Sequence, residues 1–242
     1  MAAPAADTVA LHGWTAVPAD AEAILQGKPY LYKPSPLLVD DIPFPSDDAL
    51  VSRVQKYAQE KLLPQTFNHS MRVYYWATTI LRQQFPSHTS LSLSTLALTC
   101  LLHDIGTTHE NLRATQLSFE FYGGLLALNL LEISSPPSPP EAAVCEAIIR
   151  HQDLGTVGNI TFLGQLIQLA TLYDNMGGHP EIVHAATRDD VNRAFPRGGW
   201  SRCFAATIRE ENGLKPWAHS THLGEEAFPE GVLANHLMAE YD

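Results

Sequence analysis

Apolar positions recur at three- and four-residue spacing along most of the chain, and period-2 alternation is nearly absent. The stretch 46–63, SDDALVSRVQKYAQEKLL, puts Leu50, Val51, Val54, Tyr57 and Ala58 on one face. Ser46 is placed to cap it, and Asp47 and Asp48 suit its first turn. A second helix is predicted over 67–85, FNHSMRVYYWATTILRQQF, stopped by Pro86. A third covers LSTLALTCLLHD and ends near Gly106, and a fourth covers LSFEFYGGLLALNLLE. SSPPSPP then makes a loop that no helix crosses. EAAVCEAIIRHQD restarts with its acidic residue in the first turn, and TFLGQLIQLATLYDN follows. Shorter helical pieces are predicted around DDVNRAF and CFAATIREE, with a turn at PRGGW. There is no internal repeat. The pattern predicts an all-α, compact single-domain fold: an irregular Pro- and Ala-rich arm over 1–45, a helical domain over 46–225 and a tail over 226–242.

Composition narrows the class. The chain has 242 residues, 45% of them hydrophobic, enough for one real core. A net charge of −11 argues against a nucleic-acid partner, because phosphate backbones demand basic patches. No apolar run is long enough to cross a bilayer, and the first residues carry no basic stretch followed by an apolar one. Cys100, Cys145 and Cys203 show no CxxC spacing, which fits a reducing compartment. Cytosol or nucleus is the expected location, with no secretion and no membrane partner.

Against this background LALTCLLHDIGTTHE stands out, because an apolar run ends in two ionisable neighbours, His103 and Asp104. His69 lies inside the second predicted helix, and Asp174 near the end of TFLGQLIQLATLYDN. One buried histidine alone would be read as a packed core residue, and Asp174 alone as turn chemistry before NMGG. Three apolar helices each carrying His or Asp point instead to a divalent metal, for which imidazole and carboxylate are the usual ligands.

The order H…HD…D resembles the HD-domain superfamily of metal-dependent hydrolases. LHGWTAVP, FNHSMRVYYW, LALTCLLHDIGT, EAIIRHQDLG, NITFLGQLIQLATLYDN, AFPRGGW and KPWAHSTH are further similar, in order, to the fungal cyanamide hydratases. The resemblance runs from about Leu11 to His222. It implies a helical HD domain, one zinc ion per chain held by His69, His103, Asp104 and Asp174, and addition of water to the nitrile of cyanamide to give urea. It also implies a homo-oligomer, and the apolar arm before Ser46 could serve its interface.

Zinc lowers the pKa of a bound water to roughly 7 and so supplies hydroxide for a neutral nitrile. The proton must then reach the terminal nitrogen. Asp104 is the first candidate for that shuttle and His151 the second. Thr107 and Asn175 adjoin ligands and are candidates to orient substrate. Arg72, one turn after His69, reads as a structural ion pair. His109, the YGG at 122–124, and His219 and His222 in HSTH have ordinary loop or packing readings. The alternative is an HD phosphohydrolase acting on nucleotides. It needs basic side chains to clamp phosphate, and the ligand-bearing segments contain no lysine. A third possibility is a non-catalytic helical module with a structural metal.

Overall fold

The structure is a computed structural model that describes residues 5–131 and 138–242. Its elements run α1 (Ala6–Leu11), β1 (Ala16–Pro18), α2 (Ala21–Ile24), α3 (Ala49–Lys61), α4 (Pro64–Gln84), α5 (Leu93–Leu102), α6 (His109–Ala114) and α7 (Phe119–Leu130). They continue with α8 (Pro139–Arg150), β2 (Asn159–Thr161), α9 (Phe162–Met176), α10 (Ala185–Ala194), α11 (Trp200–Leu214) and α12 (Ala227–Leu233), with short 3-10 turns between. The all-α expectation holds. The two three-residue strands pair antiparallel, Val17 opposite Ile160, and are too short to show as alternation.

Helix boundaries follow local chemistry. α3 starts at Asp48 rather than at the expected Ser46, because the Asp48 carboxylate accepts from the Leu50 and Val51 N–H groups. α4 starts earlier than predicted because Pro64 fits the first helical position, where no N–H is needed. Most of SSPPSPP lies outside the described residues, but Pro139 and Pro140 open α8 for the same reason.

α4 is the central helix. Its middle is buried on every side, which its apolar and small polar residues allow. α5, α9 and α11 pack around it, and α7 and α8 pack on each other beside α5. Much of the arm lacks regular structure but is tied down: Leu31 and Tyr32 donate to the Gln84 side chain, Val39 to Asp190, and Tyr74 donates to the Pro43 carbonyl.

The segment 226–242, expected as a tail, is part of the packing. Phe228 and Val232 of α12 join Trp200, Phe204, Ala205 and Ile208 of α11 in a second apolar cluster. Met238 lies in the main core. The sparse apolar residues of this segment gave no helical period, yet Phe228, Val232 and Met238 are buried.

Candidate metal centre

His69 projects from the middle of α4. Ser92 caps α5 by accepting from Thr95 N–H, and α5 ends at Leu102, so His103 and Asp104 sit where the backbone leaves the helix. Both side chains turn inward and are 1% exposed. Gly106 follows because a Cβ there would lie 2.1 Å from the Phe119 carbonyl oxygen, so only glycine lets α7 start this close. Asp174 and Asn175 come from the last turn of α9, which Gly177 ends in a left-handed conformation at φ 68°.

The protons on three imidazoles are fixed by what their Nδ1 atoms face. Nδ1 of His69 lies 2.7 Å from Asp174 Oδ2, that of His103 2.8 Å from the Cys100 carbonyl, and that of His151 2.7 Å from the Ile148 carbonyl. Each Nδ1 therefore carries the hydrogen, and each Nε2 presents a lone pair. The lone pairs of His69 and His103 meet at 3.1 Å, with Asp104 Oδ2 at 3.6 and 3.3 Å from the two nitrogens. Both Asp104 oxygens are buried without a hydrogen-bond donor. Buried lone pairs and a carboxylate that converge in this way repel one another, and a cation resolves the conflict. The spacing fits: a divalent ion holding N and O donors at about 2.1 Å in a tetrahedron keeps them about 3.4 Å apart. Among the described residues His69, His103 and Asp104 form the one group of three metal-ligating side chains this close together.

Asp174, the expected fourth ligand, is placed differently. It lies behind the His69 ring, facing Nδ1 rather than the converging Nε2 atoms. Arg72 grips it with Nε and Nη2 at 2.9 Å each, and Trp76 Nε1 donates to it at 2.9 Å. Arg197 stands 3.3 Å from Oδ1 and donates to the Asp174 carbonyl. Two buried guanidiniums claim the carboxylate, and sequence order alone does not reveal that competition. Arg72 is the ion-pair partner its position suggested.

Electrostatics follows from the packing. Burial opposes the charge on Asp174, but Arg72 and Arg197 hold its carboxyl well below the ordinary range. Burial pushes His69 down to about 4, only partly offset by Asp174, which keeps the imidazole neutral. Burial also opposes the charge on Asp104, and with no cation between them only a proton shared with His103 offsets that cost: the carboxyl is held low and the imidazole is pushed up together.

The other candidates separate. His151 comes within 3.9 Å of Asp104 Oδ1 through Nε2. Asn175 accepts from Trp200 Nε1 at 2.8 Å, which leaves its amide hydrogens free to donate. Thr107 donates to the Asp104 carbonyl at 2.7 Å and so holds the turn. His109 is exposed at the start of α6. His219 lies between Glu120 and Asp153, 3.4 Å from each, and His222 sits on the same 3-10 turn; neither joins the metal cluster.

Sequence reasoning missed several supports. Trp200 stacks on His69 at 4.2 Å between ring centroids, Phe204 stacks on Trp200, and Asn235 donates to the Asp174 carbonyl at 2.9 Å. Arg197 lies in the turn and Trp200 opens α11 in the stretch PRGGW, where an arginine and a tryptophan flanking two glycines were the available signal.

Residues 66–176 match the HD domain family. Two cyanamide hydratases of Saccharomyces cerevisiae, DDI2 and DDI3, are each 40% identical to the chain over 225 residues, covering 93% of this chain and 96% of the relative. That likeness extends beyond the HD segment on both sides. The chain belongs to the cyanamide hydratase family. The aligned stretch includes the segment that supplies Arg197 and Trp200 in this chain.

Proposed function

We propose that the chain is a metal-dependent hydro-lyase that adds water to the nitrile of cyanamide and releases urea. The observation that carries this is the buried convergence of the His69 and His103 lone pairs on Asp104, whose two oxygens have no donor. These residues fit a single divalent ion of borderline-to-hard character, and zinc is the metal we propose. Such an ion supplies Lewis acidity and a water acidic enough to attack near neutral pH.

The chain's residues do the rest. Asp174 and Trp200 hold the His69 ring in its tautomer and plane, as partners behind a ligand do. Asp104 presents a carboxylate oxygen to the attacking water and accepts its proton. His151 Nε2, 3.9 Å from Asp104 Oδ1, relays a proton to the terminal nitrogen of the substrate. The water oxygen bonds to the nitrile carbon, one C–N π bond opens, and the protonated isourea tautomerises to urea. Asn175 offers its amide hydrogens to the substrate from beside His151. Thr107 supports Asp104 through the turn and does not hold substrate.

The buried cations are already committed: Arg72 and Arg197 to Asp174, Lys215 to the Leu117 carbonyl and Glu211. Arg113 pairs with Glu210 and Arg150 with Asp153. Among the described residues a phosphate dianion therefore finds no uncommitted guanidinium at the metal cluster. The phosphohydrolase reading keeps one observation, a separate polar cavity of about 420 Å³ lined by Lys61, His109 and Thr107. A urea-release assay with cyanamide, run beside phosphate release from nucleoside monophosphates, decides between them. Urea is expected, and nucleotide hydrolysis without urea would reverse the choice.

No helix among the described residues is long and apolar enough to cross a membrane. A cytoplasmic homo-oligomer without nucleic-acid or membrane partners completes the proposal. The charge of −11 supports the exclusion of nucleic acid, and family resemblance supports the assembly.

A further inference from the structure

Two cavities meet at the His151 end of the site. The outer one is an open, mostly apolar groove of about 270 Å³ between α9, α12 and the turn at Ala19–Ala21. The inner one holds only about 10 Å³ and is lined by His151 and Asn175. Leu154, Leu172, Met176 and Phe228 line both, so these four side chains form the partition. The inner space is roughly what one water needs. Cyanamide has three heavy atoms in a line, so it is held in this space only if the lining side chains yield.

We propose that Met176 and Phe228 are the size filter of this site, separating the groove from a chamber beside His151 and restricting turnover to nitriles about as small as cyanamide. The inference rests on the nitrile-hydrating reading above. Of the partition residues Met176 yields most readily, being an unbranched thioether that is half-buried at the end of α9. Its far end is bounded by α12: a Cβ on Gly231 would stand 2.5 Å from Met176 Cε. Gly231 thus leaves the space that the end of the thioether already fills, and Phe228, 5% exposed, is the more rigid side chain of the lining. An apolar partition also suits a neutral substrate, because a charged one loses hydration without gaining a partner there.

The test compares kcat/KM for cyanamide and N,N-dimethylcyanamide, read as urea and N,N-dimethylurea, in the metal-loaded full chain. Met176→Ala should raise the dimethyl-to-parent ratio about tenfold, the effect of a few methylene-sized groups in a pocket. Phe228→Leu should raise it as well. Gly231→Ala adds nothing to the lining but pushes Met176 inward, so it should lower the ratio, and Met176→Ala should rescue the double variant. Leu63→Ala alters the rim of the separate polar cavity, where Leu63 is 58% exposed, and should leave the ratio unchanged. A ratio unmoved by Met176→Ala and Gly231→Ala, in variants with full metal content, overturns the filter; so does a ratio shifted by Leu63→Ala alone. Wild-type protein that makes no urea overturns the underlying reading, and the filter with it.

Discussion

Asp174→Ala separates the two roles that sequence order and structure assign to that residue. The carboxylate is fully buried and meets Arg72, Arg197, Trp76 Nε1 and His69 Nδ1. Removing it leaves two guanidiniums without an anion in the core. Breaking a buried pair by deleting one partner costs about 3–5 kcal/mol. For a chain of this size each kcal/mol lowers the melting temperature by about 2–4 °C, so the expected drop is roughly 6–20 °C. Metal affinity should fall about 10–100-fold, as it does when the partner behind a ligating histidine is lost, rather than vanish. His103→Ala should show the opposite profile, with metal binding lost and a smaller change in melting. The assay is thermal unfolding of chelator-treated protein, which removes the metal's own contribution, followed by zinc titration. Asp174→Ala that melts like wild type yet binds no metal would refute the argument and restore Asp174 as a ligand.

Elemental analysis of protein purified without chelator should give one divalent ion per chain, predominantly zinc; two tightly held ions would refute the single cluster. Chelation should abolish urea release, and zinc should restore it; turnover that survives full metal removal would refute the metal's catalytic role. Glu211 is pushed up to about 7 by burial and then by the Glu120 charge. Its folded pKa exceeds its unfolded one, so the associated stability is present below about pH 4.5 and is lost as pH rises towards 7. Glu211→Gln should flatten that slope in melting temperature between pH 5 and 7.5, and an unchanged slope would refute it. Because cyanamide is neutral, its kcat/KM should vary little with ionic strength; a steep decline would indicate a steered anion.

Much of this site was readable before any coordinates. Apolar periodicity gives α3, α4, α5, α7, α8 and α9, because each buries a continuous face and bears a recognisable cap or breaker. His69, His103 and Asp104 are conspicuous for the same reason, being ionisable where the period demands an apolar residue. What stayed hidden are relations between distant segments. Nothing local to Asp174 reveals that Arg197 and Asn235 reach its backbone or that Arg197 adds a second guanidinium to the one Arg72 supplies. α12 was illegible because seven residues offer too few turns for a period to emerge. Thr107, three residues after Asp104, also has a local role that sequence did not show: its hydroxyl donates to the Asp104 carbonyl and steadies the turn.

The supports of Asp174 also define what can be cut from this protein. Residues 66–176 carry His69, His103, Asp104 and Asp174, and they are the part that matches the HD domain. Yet the Asp174 carbonyl receives its hydrogen bonds from Arg197 and Asn235, and the face of His69 is covered by Trp200. Excised, that segment would keep every named ligand while exposing the carbonyl, the ring and the apolar wall behind them to solvent. The motif is thus not a module. It is a little under half of an interleaved unit, and grafting it into another helical scaffold would transfer the letters of the site without the walls that aim them.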